Sequence, residues 1–237
     1  MASGEISQDL MERYKKMAVA TVYGGVRRMG YMPCFMNGVR NFTPGRPLVG
    51  AARTLRFVPP RADIIEETNR DADSPEYRAM GSCKPGDVLV CDAMGRRYGS
   101  IGGDVKLLQL KMVGAAGVVT DGAIRDLDIV QSYGLAVFAQ DRTPAGGGEE
   151  GVSPFEENVT IGCGGVAVRP GDLIVGDDDG IVVVARGIVE EVIEWVEDHE
   201  KDEEHIKELI QKENVAPGKY YNQANFERLS RERRAAT

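Results

Sequence analysis

The spacing of hydrophobic and polar positions changes period several times along the chain. From Ser7 to about Arg28, Leu10, Met11, Tyr14, Met17 and Ala18 recur at three- and four-residue intervals, predicting a helix or helix pair that packs on the rest. After Pro44 and Pro47, Leu48–Val58 alternates as a strand, and Pro59–Tyr77 turns polar and charged. Lys84-Pro85-Gly86-Asp87 is a turn that delivers a buried strand over Gly86–Cys91. Strand 87–91, helix 104–115, strand 117–120, short helix 126–133 and strand 135–140 then alternate, which implies parallel pairing through right-handed crossovers.

Beyond Gln140 the pattern is different. Thr143–Val152 is glycine-rich and acidic and reads as a loop, and Val159–Gly162, Gly165–Val168, Asp172–Gly176 and Gly180–Ala185 read as short strands of a meander. Gly176-Asp177-Asp178-Asp179-Gly180 resembles a cation loop in composition, but it lacks calcium-loop spacing and is read as a hairpin turn. Ile188–Lys212 is a long acidic helix whose apolar stripe breaks between Val196 and Ile206, leaving room for it to reach a neighbouring subunit. Ala216–Thr237 is Arg-rich at its end and reads as a partly ordered tail.

Composition narrows the function classes. A chain of 237 residues, 42% hydrophobic, supports one sizeable α/β core, and the expected organisation is one domain over 1–237 with an N-terminal helical region (1–45) and a C-terminal helix and tail (187–237). The start lacks a basic and apolar leader and no apolar run is long, so the expectation is a soluble cytoplasmic protein without membrane contact. Four cysteines without a C-x-x-C pair argue against zinc or a disulfide framework. The net charge of −8 and dispersed basic residues argue against nucleic acid as a partner.

The chemistry concentrates in two short segments. Gly99-Ser100-Ile101-Gly102-Gly103-Asp104 is a glycine-rich turn opening a helix, with Asp104 expected as its N-cap; Asp121–Asp126 is the loop leaving the next strand. Ligands in β-α-β units gather at the carboxyl ends of strands, so the two segments are expected to line one pocket. The first-turn amides of Gly103, Asp104, Val105 and Lys106 suit a carboxylate or phosphate. Arg125 can clamp a carboxylate or keto oxygen, Asp126 can ligate a hard divalent cation completed by water, and Asp104 can hold a metal-bound water. The bland alternative is that Arg125-Asp126 is a surface ion pair and Asp104 only a cap. The glycines at 99, 102 and 103 match neither a dinucleotide fingerprint nor a P-loop.

Gly103-Asp104, twenty intervening residues and Arg125-Asp126 resemble the signature of the RraA-like superfamily. Gly114–Gly122 and Arg169–Gly180 are similar to it as well, and the resemblance covers roughly residues 45–212. The catalytic members of that superfamily are class II pyruvate aldolases acting on 4-hydroxy-4-methyl-2-oxoglutarate and 4-carboxy-4-hydroxy-2-oxoadipate. The resemblance implies a β/β/α sandwich of the swivelling-domain type, assembled as homotrimers or homohexamers with intersubunit active sites.

Residue by residue, the resemblance implies Asp126 on Mg²⁺ or Mn²⁺, Asp104 reaching the metal through water, Arg125 on the pyruvyl keto oxygen and Gly103 to Lys106 on the carboxylate. Glu203, with Glu200 and Glu204 as alternatives, would be the acid contributed by a neighbouring subunit's C-terminal helix. Thr21-Val22-Tyr23-Gly24-Gly25-Val26 departs from the family pattern, which has an Asp-Ala pair there, and Arg27–Arg46 is also unlike it. The implied activity is retro-aldol cleavage of a 4-hydroxy-2-oxo acid to pyruvate, with oxaloacetate decarboxylation as a side activity. The alternative is a non-catalytic regulator that binds an endoribonuclease. A demethylmenaquinone methyltransferase, a further label in this superfamily, has no nucleotide-binding glycine fingerprint here.

Overall fold

The computed structural model describes residues 5–148 and 151–236, so Met1–Gly4, Glu149-Glu150 of the 143–152 loop and Thr237 lie outside the described residues. The N-terminal region forms a helix pair, α1 (Gln8–Tyr14) and α2 (Val19–Arg28). The strand expected at Leu48–Val58 forms over those residues as β2, after a short β1 (Arg40–Asn41). The polar stretch after β2 was not expected to be helical, yet it folds into α3 (Ala62–Thr68) and α4 (Pro75–Gly81). Each helix has seven residues, too short for apolar periodicity to register.

The alternating segment is β3 (Val88–Asp92), α5 (Asp104–Met112), β4 (Gly117–Thr120), β5 (Ala123–Ile124), α6 (Leu127–Gln131) and β6 (Ala136–Ala139), followed by β7 (Asp141–Arg142). β2, β3, β4 and β6 are all parallel, as the alternation requires. The second half adds β8 (Ser153–Glu157), which the sequence pattern did not reveal, then β9 (Ile161–Cys163), β10 (Val166–Val168), β11 (Leu173–Asp177) and β12 (Gly180–Val184). Asp177 pairs with Gly180 across a tight hairpin, and Asp178 accepts from Asn41 and the Gly45 amide, so the acidic turn is structural.

The main sheet runs β1-β6-β4-β3-β2-β11-β12 and nearly closes on itself. Its two ends meet through Cys34–Met36, where the Met36 amide donates to Ile181 and the Val183 amide to Cys34. Alternation then separates an inside from an outside. Leu48, Ala52, Val88, Val90, Val119, Phe138, Ile174, Ile181 and Val183 fill the inner core with β9 and β10. Leu55, Leu89, Cys91, Val118 and Val137 face outward to α4 and α5, while Val49, Leu173, Val175, Val182 and Val184 face outward to α1, α2 and a long C-terminal helix.

That helix, α7 (Val189–Glu213), lies against α2, where the unexpected Gly24-Gly25 has its reason. A side chain at Gly25 would sit 3.0 Å from Val196, so glycine allows the two helices to approach closely. The expected tail is instead a helix, α8 (Gln223–Ala236), folded back on α7. His199 falls in the break of the apolar stripe and stacks between Trp195 and Phe226, with centroids 4.6 and 4.7 Å away. Thus part of the face expected to reach a neighbour is covered by the chain's own α8. Among the described residues no helix is long and apolar enough to cross a membrane.

Burial holds the His199 pKa below its ordinary 6.5, against the opposing pull of Glu203 and Glu200. The folded state therefore favours the neutral ring, so its stabilising contribution is intact above the unfolded pKa and is lost as pH falls toward the lowered folded value. Urea unfolding followed by Trp195, the only tryptophan, is expected to show stability declining as the pH falls through 6.5 and below. His199→Phe should flatten that decline; stability rising on acidification would contradict the stack.

Candidate active site

The glycine turn and the β4-exit loop meet because their backbones pair. Ser100 bridges Ala123 in parallel, the Ile101 amide donates to Ala123 at 2.9 Å, and the Arg125 amide donates to Gly102 at 3.3 Å. Gly99 crosses Gly151 so tightly that a side-chain carbon on Gly99 would lie 2.3 Å from the Gly151 Cα. This lets Gly151 lie directly across the turn, with Gly147 close to Ser100.

Gly103, not Asp104, is the N-cap of α5, and no side-chain bond caps the helix. Asp104 is the first helical residue, so its carboxylate is released from the capping role expected for it. The amides of Gly103 to Lys106 stand at the N-terminal turn, where helix geometry provides no internal acceptor. All four of these residues and Arg125 line one cavity of about 300 Å³, with Ser74, Glu76, Thr68, Asn69, Gly147, Gly148 and Ser153 on its other walls.

Asp126 is held in the left-handed region at φ 53°, ψ 37°, at the start of α6, yet its carboxylate does not cap that helix. Asp tolerates this conformation better than most residues. Its Oδ2 accepts from Arg125 Nε at 2.9 Å and lies 2.2 Å from where a Gly103 Cβ would be. The absence of a side chain at Gly103 is what gives Asp126 its place. The two halves of the motif are therefore in contact: Arg125 lines the cavity, whereas Asp126 does not and is placed beside it only through its contact with Gly103. An ion pair this exposed adds little stability.

Asp126 and Asp104 offer hard carboxylate oxygens, which fit Mg²⁺ or Mn²⁺ with water completing the shell. Among the described residues no cluster of three or more His, Cys, Asp or Glu forms a self-sufficient metal cage. Softer ligands lie elsewhere: both histidines are on α7, and all four cysteines are buried. Burial pushes the Cys34 thiol up to about 11 and Cys83 up to about 12, so these are structural thiols.

Glu203 does not line this cavity within the chain; it accepts from Tyr221 of the α7–α8 region at 3.3 Å. Its two alternatives are also engaged locally, Glu200 by the Ala18 amide and Glu204 by Lys207. Sequence reasoning missed Glu76 and Ser153. Ser74-Pro75-Glu76 carried a usable signal, a cap-type residue, then Pro and an acid in the first turn of a helix. Lys106 was chosen for its amide alone, yet its Nζ also bonds Glu76 Oε1 at 2.9 Å.

A family model described as RraA-like, Aldolase/RraA, matches residues 11–183. A protein of Halalkalibacterium halodurans provisionally named a 4-hydroxy-4-methyl-2-oxoglutarate aldolase is 41% identical over 133 residues, 56% of this chain and 62% of that protein. An uncharacterized protein of Methanocaldococcus jannaschii is 35% identical over 116 residues, 49% of this chain and 55% of its own length. The chain thus spans less than two thirds of the length of these curated relatives. Among solved structures, RraAS2 of Streptomyces coelicolor, described as an unusual member of the RNase ES inhibitor RraA protein family, superposes with TM-score 0.79 at 30% identity, covering 87% of this chain and 99% of that one.

Because the nearest obstacle to a Gly103 side chain is a movable carboxylate, Gly103→Ala is expected to keep the fold, at a cost of about 1–3 kcal/mol, while displacing Asp126 and Arg125. Calorimetry with oxalate should show roughly tenfold weaker binding in the variant. Unchanged oxalate affinity would separate this contact from anion binding.

Proposed function

The chain belongs to the RraA-like family, and from that premise we propose that it is a divalent-metal-dependent lyase releasing pyruvate from a 4-hydroxy-2-oxo acid by retro-aldol cleavage, with oxaloacetate decarboxylation as a side activity. The observation that carries the reading is the contact between Arg125-Asp126 and the open start of α5 beside one cavity.

In this reading the amides of Gly103 to Lys106 hold the substrate C1 carboxylate and Arg125 donates to the C2 keto oxygen. The C3–C4 bond breaks as the C4 hydroxyl loses its proton and becomes a carbonyl, and the electron pair moves into the C2–C3 enolate. Arg125 faces the negative charge that develops on the C2 oxygen, which favours the transition state over the ground state. Water held by Asp104 carries the proton that converts C3 into the methyl of pyruvate. Mg²⁺ or Mn²⁺ held by Asp126, and through water by Asp104, supplies further positive charge when bound. Glu203 of a neighbouring subunit completes the acid–base set, in a homotrimer or homohexamer with sites between subunits.

The likeness to RraAS2 supports a second reading, a non-catalytic regulator of an endoribonuclease. Asp104, Arg125 and Asp126 together in one site favour catalysis. A coupled assay for pyruvate from oxaloacetate and a panel of 4-hydroxy-2-oxo acids separates the two. Turnover with Mg²⁺ is expected, falling about 100-fold or more with chelator or in Asp126→Ala. Activity indifferent to both removes the metal-dependent mechanism, and no turnover together with ribonuclease inhibition establishes the regulator.

A further inference from the structure

Tyr133, two residues beyond α6, donates its hydroxyl to the main-chain oxygen of Asp104 at 3.2 Å. The same ring lies 5.1 Å from the Lys111 ammonium, so it touches α5 in its first turn and again in its last. Tyr133 is partly buried against the core that contains Leu107 and Leu110 of α5, and this packing seats the ring whether or not it carries a hydroxyl.

The oxygen it holds belongs to the peptide group whose other end is the Val105 amide. That group is planar and trans, so its N–H points opposite to its C=O, and fixing one fixes the other. The Leu107 amide donates to Gly103 at 3.0 Å and begins the hydrogen-bond ladder of α5, which leaves the Val105 amide ahead of it. Val105 lines the cavity together with Gly103, Lys106 and Arg125. A hydrogen bond to a carbonyl also draws charge from the amide nitrogen and makes the N–H a better donor. Building on the carboxylate cradle of the lyase reading, we infer that Tyr133 is a positioning residue of that cradle, its hydroxyl aiming and polarising the Val105 amide toward a bound carboxylate. A substrate carboxylate is held alike in the ground and transition states, so this contribution falls on KM and leaves kcat in place.

The test is Tyr133→Phe, which removes the hydroxyl and keeps the ring on Lys111 and the core. Calorimetry with oxalate in the presence of Mg²⁺ is expected to show binding weakened about three- to tenfold. KM for oxaloacetate should rise by a similar factor while kcat stays within about twofold and the melting temperature is nearly unchanged. Lys111→Met, which takes the cation from the same ring and leaves the hydroxyl, should bind oxalate as the wild type does. Unchanged oxalate affinity in Tyr133→Phe, an equal loss in Lys111→Met, or a fall in kcat at constant KM overturns the assignment. If Tyr133→Phe weakens oxalate as expected but no substrate yields pyruvate, the cradle stands and the lyase reading fails. If pyruvate forms with KM and oxalate affinity indifferent to the hydroxyl, the lyase reading stands and the role of Tyr133 fails.

Discussion

A short parallel pairing between Ser100–Gly102 and Ala123–Arg125 sets the shape of the candidate site. Two backbone hydrogen bonds, from Ile101 to Ala123 and from Arg125 to Gly102, draw the start of α5 and the exit of β4 into contact. Everything at the site follows from that contact. It fixes Arg125 in the wall of the cavity, turns the free amides of α5 toward the same space and leaves Asp126 where only a glycine at position 103 can accommodate it. The nearly closed sheet provides the rigidity, because β3, β4 and β6 are packed on both faces and cannot shift without disturbing two cores.

The parts of the fold legible in the sequence were those whose local pattern matches their environment. β2 is an alternating stretch and β4 an apolar run, and the structure returns them over the expected spans, Leu48–Val58 and Gly117–Thr120. The meeting of Gly103 with Arg125-Asp126 was also legible, since strand-end geometry forces those loops together. α3, α4 and α8 were not, because short helices with polar surfaces carry little periodicity, and α8 takes its place through tertiary packing such as Phe226 on His199 and the burial of Leu229. Glu76 and Ser153 escaped for a different reason. They lie far apart in sequence and reach one cavity through β8 pairing with β2 and through the Arg78–Glu157 ion pair that ties α4 to β8. No local spacing encodes a contact of that kind.

The α5 amides and Arg125 give one wall of the cavity a positive potential, and Lys106 contributes its amide to that wall while its ammonium pairs with Glu76. The proposed roles of Asp104, Asp126 and a neighbour's Glu203 all depend on the enolate being formed beside Arg125.

Enolate formation can be observed without any aldol substrate. Pyruvate incubated in D₂O with the protein and Mg²⁺ should exchange its methyl protons for deuterium, read by loss of the proton NMR signal. Arg125→Gln should slow that exchange by about 100-fold or more. Absence of exchange with the wild-type chain, or exchange at the same rate in Arg125→Gln, would contradict the claim that this pair of loops stabilises a 2-oxo acid enolate.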